Sequence, residues 1–141
     1  YPSNHFITML SFNHSIKVRY VETDAMQRVH HSNHLIWFEE CRIELLNHMG
    51  ISYDQLEASG FYIPVISANI EYLEAASFNE TLDIGIELKD KPKVRFNFDY
   101  AVTNNERLIA TGKTGHTFIN QSNKVIRPPK IFTETVNKYW Q

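Results

Sequence analysis

Residues 18–46 read VRYVETDAMQRVHHSNHLIWFEECRIELL, and the change of period inside this stretch decides the fold. At its start, Ile16, Val18 and Tyr20 alternate with Lys17 and Arg19, the period-two pattern of a half-buried strand. Val21 to Ser32 then loses its period and gathers Asp24, Gln27, Arg28, His30 and His31, as a structured polar loop would. From Asn33 onward Leu35, Phe38, Cys41, Leu45 and Met49 recur at three- or four-residue steps, and Ile36, Trp37, Ile43 and Leu46 widen the stripe. The spacing predicts one long helix, apolar over most of its girth and well covered. Ser32 or Asn33 can cap its start, and Gly50 suits a left-handed stop.

The rest of the chain reads mostly as strand. Ile66, Ala68, Ile70 and Tyr72 alternate with polar neighbours, and so do Leu82 to Leu88 and Phe96 to Val102. Leu108, Ala110, Gly112, Thr114, His116 and Phe118 are expected to share one face of the last long strand. The breaks at residues 77–80, 90–93 and 104–106 are turn-like, which implies an antiparallel meander. A short helix is expected over Tyr53 to Ser59, closed by Gly60, and a terminal one over Lys130 to Tyr139 behind Pro128 and Pro129. The expected class is α+β: an antiparallel five-stranded sheet around one long central helix. One helix covers one face of a sheet. The other face is expected to carry apolar residues such as Ile109 and Ile119, so pairing with a second copy about a two-fold axis is expected, as a dimer or a tetramer.

With 141 residues, the chain is the size of one ordinary domain. Residues 1–13 lack a period and are expected to be an extension, poorly ordered or left over from expression, with Met9 as an alternative start; 14–141 form the single domain. A net charge of −2 argues against a bulk electrostatic nucleic-acid binder. Its apolar runs fall far short of the ~20 residues of a membrane span. Cys41 stands alone, which excludes an internal disulfide and a cysteine-based zinc site. No basic start followed by an apolar run is visible, so a cytoplasmic location is expected.

The polar loop ends where the buried helix begins. A helix start carries partial positive charge and free N–H groups, and Asp24 stands a few residues ahead of it. A carboxylate facing an oxyanion site is what hydrolysis of an ester or thioester requires. Plainer roles are open for the same residues. Asp24 could cap a turn or pair with Arg28, and His31 could serve in capping or packing. Glu39 and Arg42 could form an ion pair, and Trp37 could be core. His30 and His34 have the four-residue spacing of a metal pair, but no Glu follows the first and no third ligand is near, so no metal is expected.

The stretch from Val18 to Leu46 resembles the signature of the 4-hydroxybenzoyl-CoA thioesterase-like group of hotdog-fold acyl-CoA thioesterases. Thr23, Asp24, Val29, His30, His31, Asn33, Trp37, Phe38, Glu39 and Arg42 match in register. The element order extends the resemblance over residues 16 to about 132. Two positions depart from the pattern: the usual Gly after the Asp is missing at Gln27 or Arg28, and the usual Tyr after Asn is His34. The resemblance implies an acyl-CoA thioesterase in which Asp24 is the catalytic carboxylate, as nucleophile or general base. The backbone N–H of His31 is the implied oxyanion donor, and its side chain orients substrate or water. Val29, His30, Asn33 and His34 lie by implication around the substrate, Asn33 also organising the loop. The resemblance also implies active sites at a dimer interface. Coenzyme A enters as part of the substrate, and an acyl carrier protein thioester is equally compatible; no separate cofactor is implied. Lys91, Lys93 and Arg95, with Lys89, and Lys124, Arg127 and Lys130 near the end, are the cations suited to its phosphates, though a solvated hairpin explains them as well. Two other functions are compatible with the residues: a hydroxyacyl-thioester dehydratase pairing His31 with Glu39 or Glu40, and a thioester-binding protein without turnover.

Overall fold

Alternation of apolar and polar residues in five segments gives five antiparallel strands, and these curl around one helix. The structure, a computed structural model, describes residues 8–141. In chain order the elements are β1 (Leu10–Lys17), a 3-10 turn (Tyr20–Glu22), α1 (Asn33–His48), α2 (Tyr53–Ala58), β2 (Val65–Tyr72) and β3 (Thr81–Leu88). They continue with β4 (Arg95–Asn104), β5 (Arg107–Ile119), β6 (Val125–Ile126) and α3 (Lys130–Tyr139). The strand order is β1-β3-β4-β5-β2, with the two-residue β6 pairing with β5, and every pairing is antiparallel. The class is the expected α+β hotdog arrangement.

Several expectations need correction. The first strand begins at Leu10, where Leu10 pairs with Leu88, so residues 10–13 belong to the sheet. Of the rest of the expected extension, residues 1–7 lie outside the described residues, and Met9 exchanges backbone hydrogen bonds with Gln141. The meander holds for β3, β4 and β5 but not for β2, which crosses the sheet to pair with β5 at the far edge. Ile109 does not sit on the outer face. A bulge pairs Ala110 with Val102 and Leu108 with Thr103, leaving Ile109 as the extra residue. That one-residue slip turns Ile109 into the core and Leu108 outward. The outer face is polar and small instead, lined by Ser11, Asn13, Gly85, Ala101, Thr111 and Lys113.

Between sheet and helix lies the core. His34, Trp37, Phe38, Cys41, Leu45 and Leu46 of α1 face Leu82, Ile84, Ile86, Tyr100, Val102 and Ala110. The Phe38 ring stacks on Tyr100 with centroids 4.1 Å apart. α1 is less fully covered than its composition predicts: Leu35 and Ile36 are 44% and 57% exposed. Gly50 ends the helix at φ 81, as expected.

Candidate active site

The loop before α1 is a small hairpin closed by backbone hydrogen bonds. His30 N–H donates to the Glu22 carbonyl (2.9 Å), Asp24 N–H donates to the Arg28 carbonyl (2.8 Å), and Thr23 bridges Val29. Asp24 Oδ1 accepts from the backbone N–H groups of Met26 (2.8 Å) and Arg28 (3.2 Å). The turn-capping role is therefore real for one oxygen, while Oδ2 accepts no hydrogen bond among the described residues. The expected alternative partner, the Arg28 side chain, is not engaged with it. Asp24 is exposed in the single chain. Gln27, one of the two positions where the resemblance expects Gly, takes φ 62, so a backbone conformation that Gly would allow is kept without it.

Below the hairpin the loop is anchored by a residue that pattern reading passes over. Glu22 is buried, and its carboxylate accepts from Arg19 N–H (2.7 Å), the Trp37 indole (2.8 Å) and the Arg19 guanidinium (3.2 Å). Burial alone would raise its pKa. The Arg19 amide, the Trp37 indole and the Arg19 side chain outweigh that and hold it below the usual carboxylate value. The Asn33 side chain donates to the Glu22 carbonyl (2.8 Å) and to the His30 carbonyl (3.1 Å), tying both ends of the hairpin to the helix. Asn33 thus organises the loop and does not cap the helix. Ser32 does not cap it either, because its hydroxyl meets His30 Nδ1 at 2.8 Å.

At the helix start the Ser32, Asn33 and His34 N–H groups are taken up by His30 Nδ1 (3.3 Å), the His30 carbonyl (3.1 Å) and the His31 carbonyl (3.3 Å), and the free donor lies one residue before the N-cap. The His31 backbone N–H donates to no group among the described residues. The His31 ring is exposed and stacks on His30 with centroids 4.3 Å apart. Its carbonyl accepts from the Tyr72 hydroxyl (3.1 Å), which fixes the loop to the end of β2. His34 turns inward against Trp37 and Tyr72, with centroids 4.9 and 5.3 Å away. Its Nδ1 is buried without a partner, and burial, with the nearby His31, lowers its pKa to about 4. A neutral imidazole therefore lies beneath the loop at neutral pH. Val29 is half-buried, and its N–H donates to the Ala76 carbonyl.

Glu39 and Glu40 do not join this cluster. Glu40 meets His14 Nε2 at 2.7 Å, and Glu39 lines a separate cavity beside α1, as does Arg42. Glu39 and Arg42 form no ion pair with each other; Arg42 Nη1 donates to the Tyr100 hydroxyl (3.1 Å). Of the expected phosphate-binding cations, Lys91 lies over the Trp140 ring, 5.6 Å from its centroid, and Lys89 is 4.0 Å from Asp99. Lys93 shares a cleft of about 410 Å³ with Arg127, uniting residues from two separate parts of the chain. Arg95 is exposed at the start of β4.

The chain is similar to known proteins over most of its length. The profile of the thioesterase-like superfamily matches residues 18–136. YneP of Bacillus subtilis, a candidate acyl-CoA thioesterase, is 34% identical over 89 residues, covering 63% of this chain and 64% of its own. The acyl-CoA thioester hydrolase YbgC of Escherichia coli is 26% identical over 98 residues, covering 70% and 73%. The crystal structure of a DHNA-CoA thioesterase from Staphylococcus aureus superposes with a TM-score of 0.85 at 27% identity, covering 92% of this chain and 91% of that one. With a hotdog sheet around α1 and this loop at the helix start, the chain belongs to the thioesterase-like superfamily and is a thioester hydrolase.

Proposed function

We propose that the protein hydrolyses acyl-CoA thioesters to the free acid and coenzyme A, using Asp24 and the His31 backbone amide. The carrying observation is the pairing, on one hairpin, of a carboxylate with a free Oδ2 and a helix-start N–H with no partner of its own. As the tetrahedral intermediate forms, negative charge gathers on the carbonyl oxygen, and the His31 N–H stabilises it. Asp24 either takes a proton from the attacking water or attacks the carbonyl itself to give an anhydride that water then opens. In both routes the carbon–sulfur bond breaks, the thiolate leaves, and one water is consumed. Relatives named as an acyl-CoA thioester hydrolase and a DHNA-CoA thioesterase support the substrate class. Coenzyme A is favoured over an acyl carrier protein, because the Lys93–Arg127 cleft suits a nucleotide phosphate.

The working unit is a homodimer. β2 is an edge strand, its residues are exposed except for Ile70, and the large apolar Val65, Ile66 and Tyr72 lie along it. An antiparallel β2–β2 pairing about a two-fold axis covers this edge and encloses the Asp24 loop. The test is a panel of acyl-CoA esters, with released thiol followed by absorbance and mass followed by sedimentation equilibrium. Turnover of some member by a dimer is expected. Binding across the panel without thiol release would contradict the proposal.

A further inference from the structure

The cavity beside α1 holds chemistry that the hydrolytic step does not use. It measures about 380 Å³, and Phe96, Phe98, Phe132 and Leu46 give it apolar walls. Such a volume takes a single ring or a short chain, at the small end of the roughly 300–1,000 Å³ range of ligand sites. Arg42 opens on it and makes no ion pair among the described residues; its one side-chain hydrogen bond is to Tyr100. A guanidinium has five N–H donors, so four of this one are left without a hydrogen-bond partner among the described residues.

Behind Arg42 runs a chain of hydrogen bonds whose direction follows from its end. The Pro64 carbonyl can only accept, so His116 Nδ1, 3.2 Å away, carries the proton. The fully buried His116 is neutral, its pKa lowered to about 4 chiefly by burial, so its Nε2 accepts from the Thr114 hydroxyl (2.7 Å). Thr114 Oγ1 then accepts from the Tyr100 hydroxyl (2.6 Å), and the Tyr100 oxygen accepts from Arg42 Nη1 (3.1 Å). Every hydroxyl proton is directed toward His116, so the Tyr100 oxygen serves as an acceptor that holds Arg42 Nη1, and the other guanidinium donors are left for a ligand.

We propose that Arg42 binds an uncharged oxygen, a hydroxyl or carbonyl, at the far end of the acyl group, with Tyr100, Thr114 and His116 as positioning residues. Glu39 and Glu57 line the same cavity and repel a terminal carboxylate. The inference rests on the thioesterase reading and on the β2–β2 dimer. Pairing β2 antiparallel about its midpoint sets Val65, on the cavity wall, beside the partner's Tyr72, and Tyr72 is the residue whose hydroxyl holds the His31 carbonyl within each chain. The reactive carbonyl then sits at one protomer's Asp24 loop while the acyl end enters the other's cavity.

Phenylacetyl-CoA and 4-hydroxyphenylacetyl-CoA differ by one distal oxygen. Hydrolysis and equilibrium binding of both are measured with wild type, Arg42→Met and Tyr100→Phe. Wild type is expected to favour the hydroxylated thioester in kcat/KM by about tenfold or more, Arg42→Met to bring the ratio close to one, and Tyr100→Phe to shrink it partway. A purely structural role would lower both substrates together and leave the ratio alone. A wild-type ratio near one, or a ratio that neither variant changes, overturns the inference. If wild type hydrolyses neither compound, the thioesterase reading fails for this class, and the binding ratios decide the role of Arg42 by the same criteria. Tyr100→Phe keeps the ring stacked on Phe38, so it serves if Arg42→Met does not fold.

Discussion

Gln27 turns the Asp24 hairpin at φ 62, a conformation that costs a non-glycine residue about 1 kcal/mol. The hydrogen bonds from Met26 and Arg28 to Asp24 Oδ1 hold the turn against that cost. Gln27→Gly is therefore expected to raise stability by about 0.5–1 kcal/mol, and Gln27→Val to lower it, in urea unfolding. At this scale the sequence exposed Asp24, His31 and Asn33 through their place before an apolar helix. It did not expose Glu22, because burial of a single carboxylate leaves no periodic trace. The available signal was the three-residue step from Arg19 together with a buried Trp37 whose indole needs an acceptor. Nor did it predict that Asn33 would bridge two carbonyls instead of capping the helix.

Between elements, α1 approaches β5 closely at Gly112. A Cβ on Gly112 would stand 2.5 Å from Phe38 Cε2 and 2.8 Å from its Cζ, so the absence of a side chain there lets Phe38 lie flat on Tyr100. Gly112→Ala is expected to cost about 1–3 kcal/mol, read as a lower urea midpoint. The strands and α1 were legible because period two and period 3.6 are local. The bulge at Ile109 was not, since it arises from how β4 and β5 pair and not from either strand's own pattern. The same reason hid the crossing of β2 to β5: adjacency in sequence suggested β3 as its neighbour, and only packing around α1 places it at the far edge.

Over the whole molecule, two buried histidines set the response to acid. His34 and His116 have folded pKa values lowered from 6.5 to about 4, in both cases chiefly by burial. Between these pH values the unfolded chain binds protons that the folded chain refuses, so stability is full above about pH 6.5 and falls as pH drops toward 4. Each contributes a slope of at most about 1.4 kcal/mol per pH unit. Glu22 and Glu80, both held below the usual carboxylate value against the opposing effect of burial, add a further loss at lower pH. Urea unfolding at pH 7.5, 6.5 and 5.5 is expected to show declining stability, with a shallower slope for His116→Asn; a flat profile would contradict these assignments. Long-range convergence was the least legible feature. Lys93 and Arg127 lie far apart in sequence, and no composition argument joins them in one cleft.

The most direct test is the kcat of Asp24→Asn on the best acyl-CoA of the panel. An Asn side-chain oxygen can still accept from Met26 and Arg28, so the hairpin should keep its shape while losing the base or nucleophile. The expected result is a fall in kcat of about 10²–10⁴-fold with an unchanged urea midpoint. A rate within a few-fold of wild type would contradict the role assigned to Asp24.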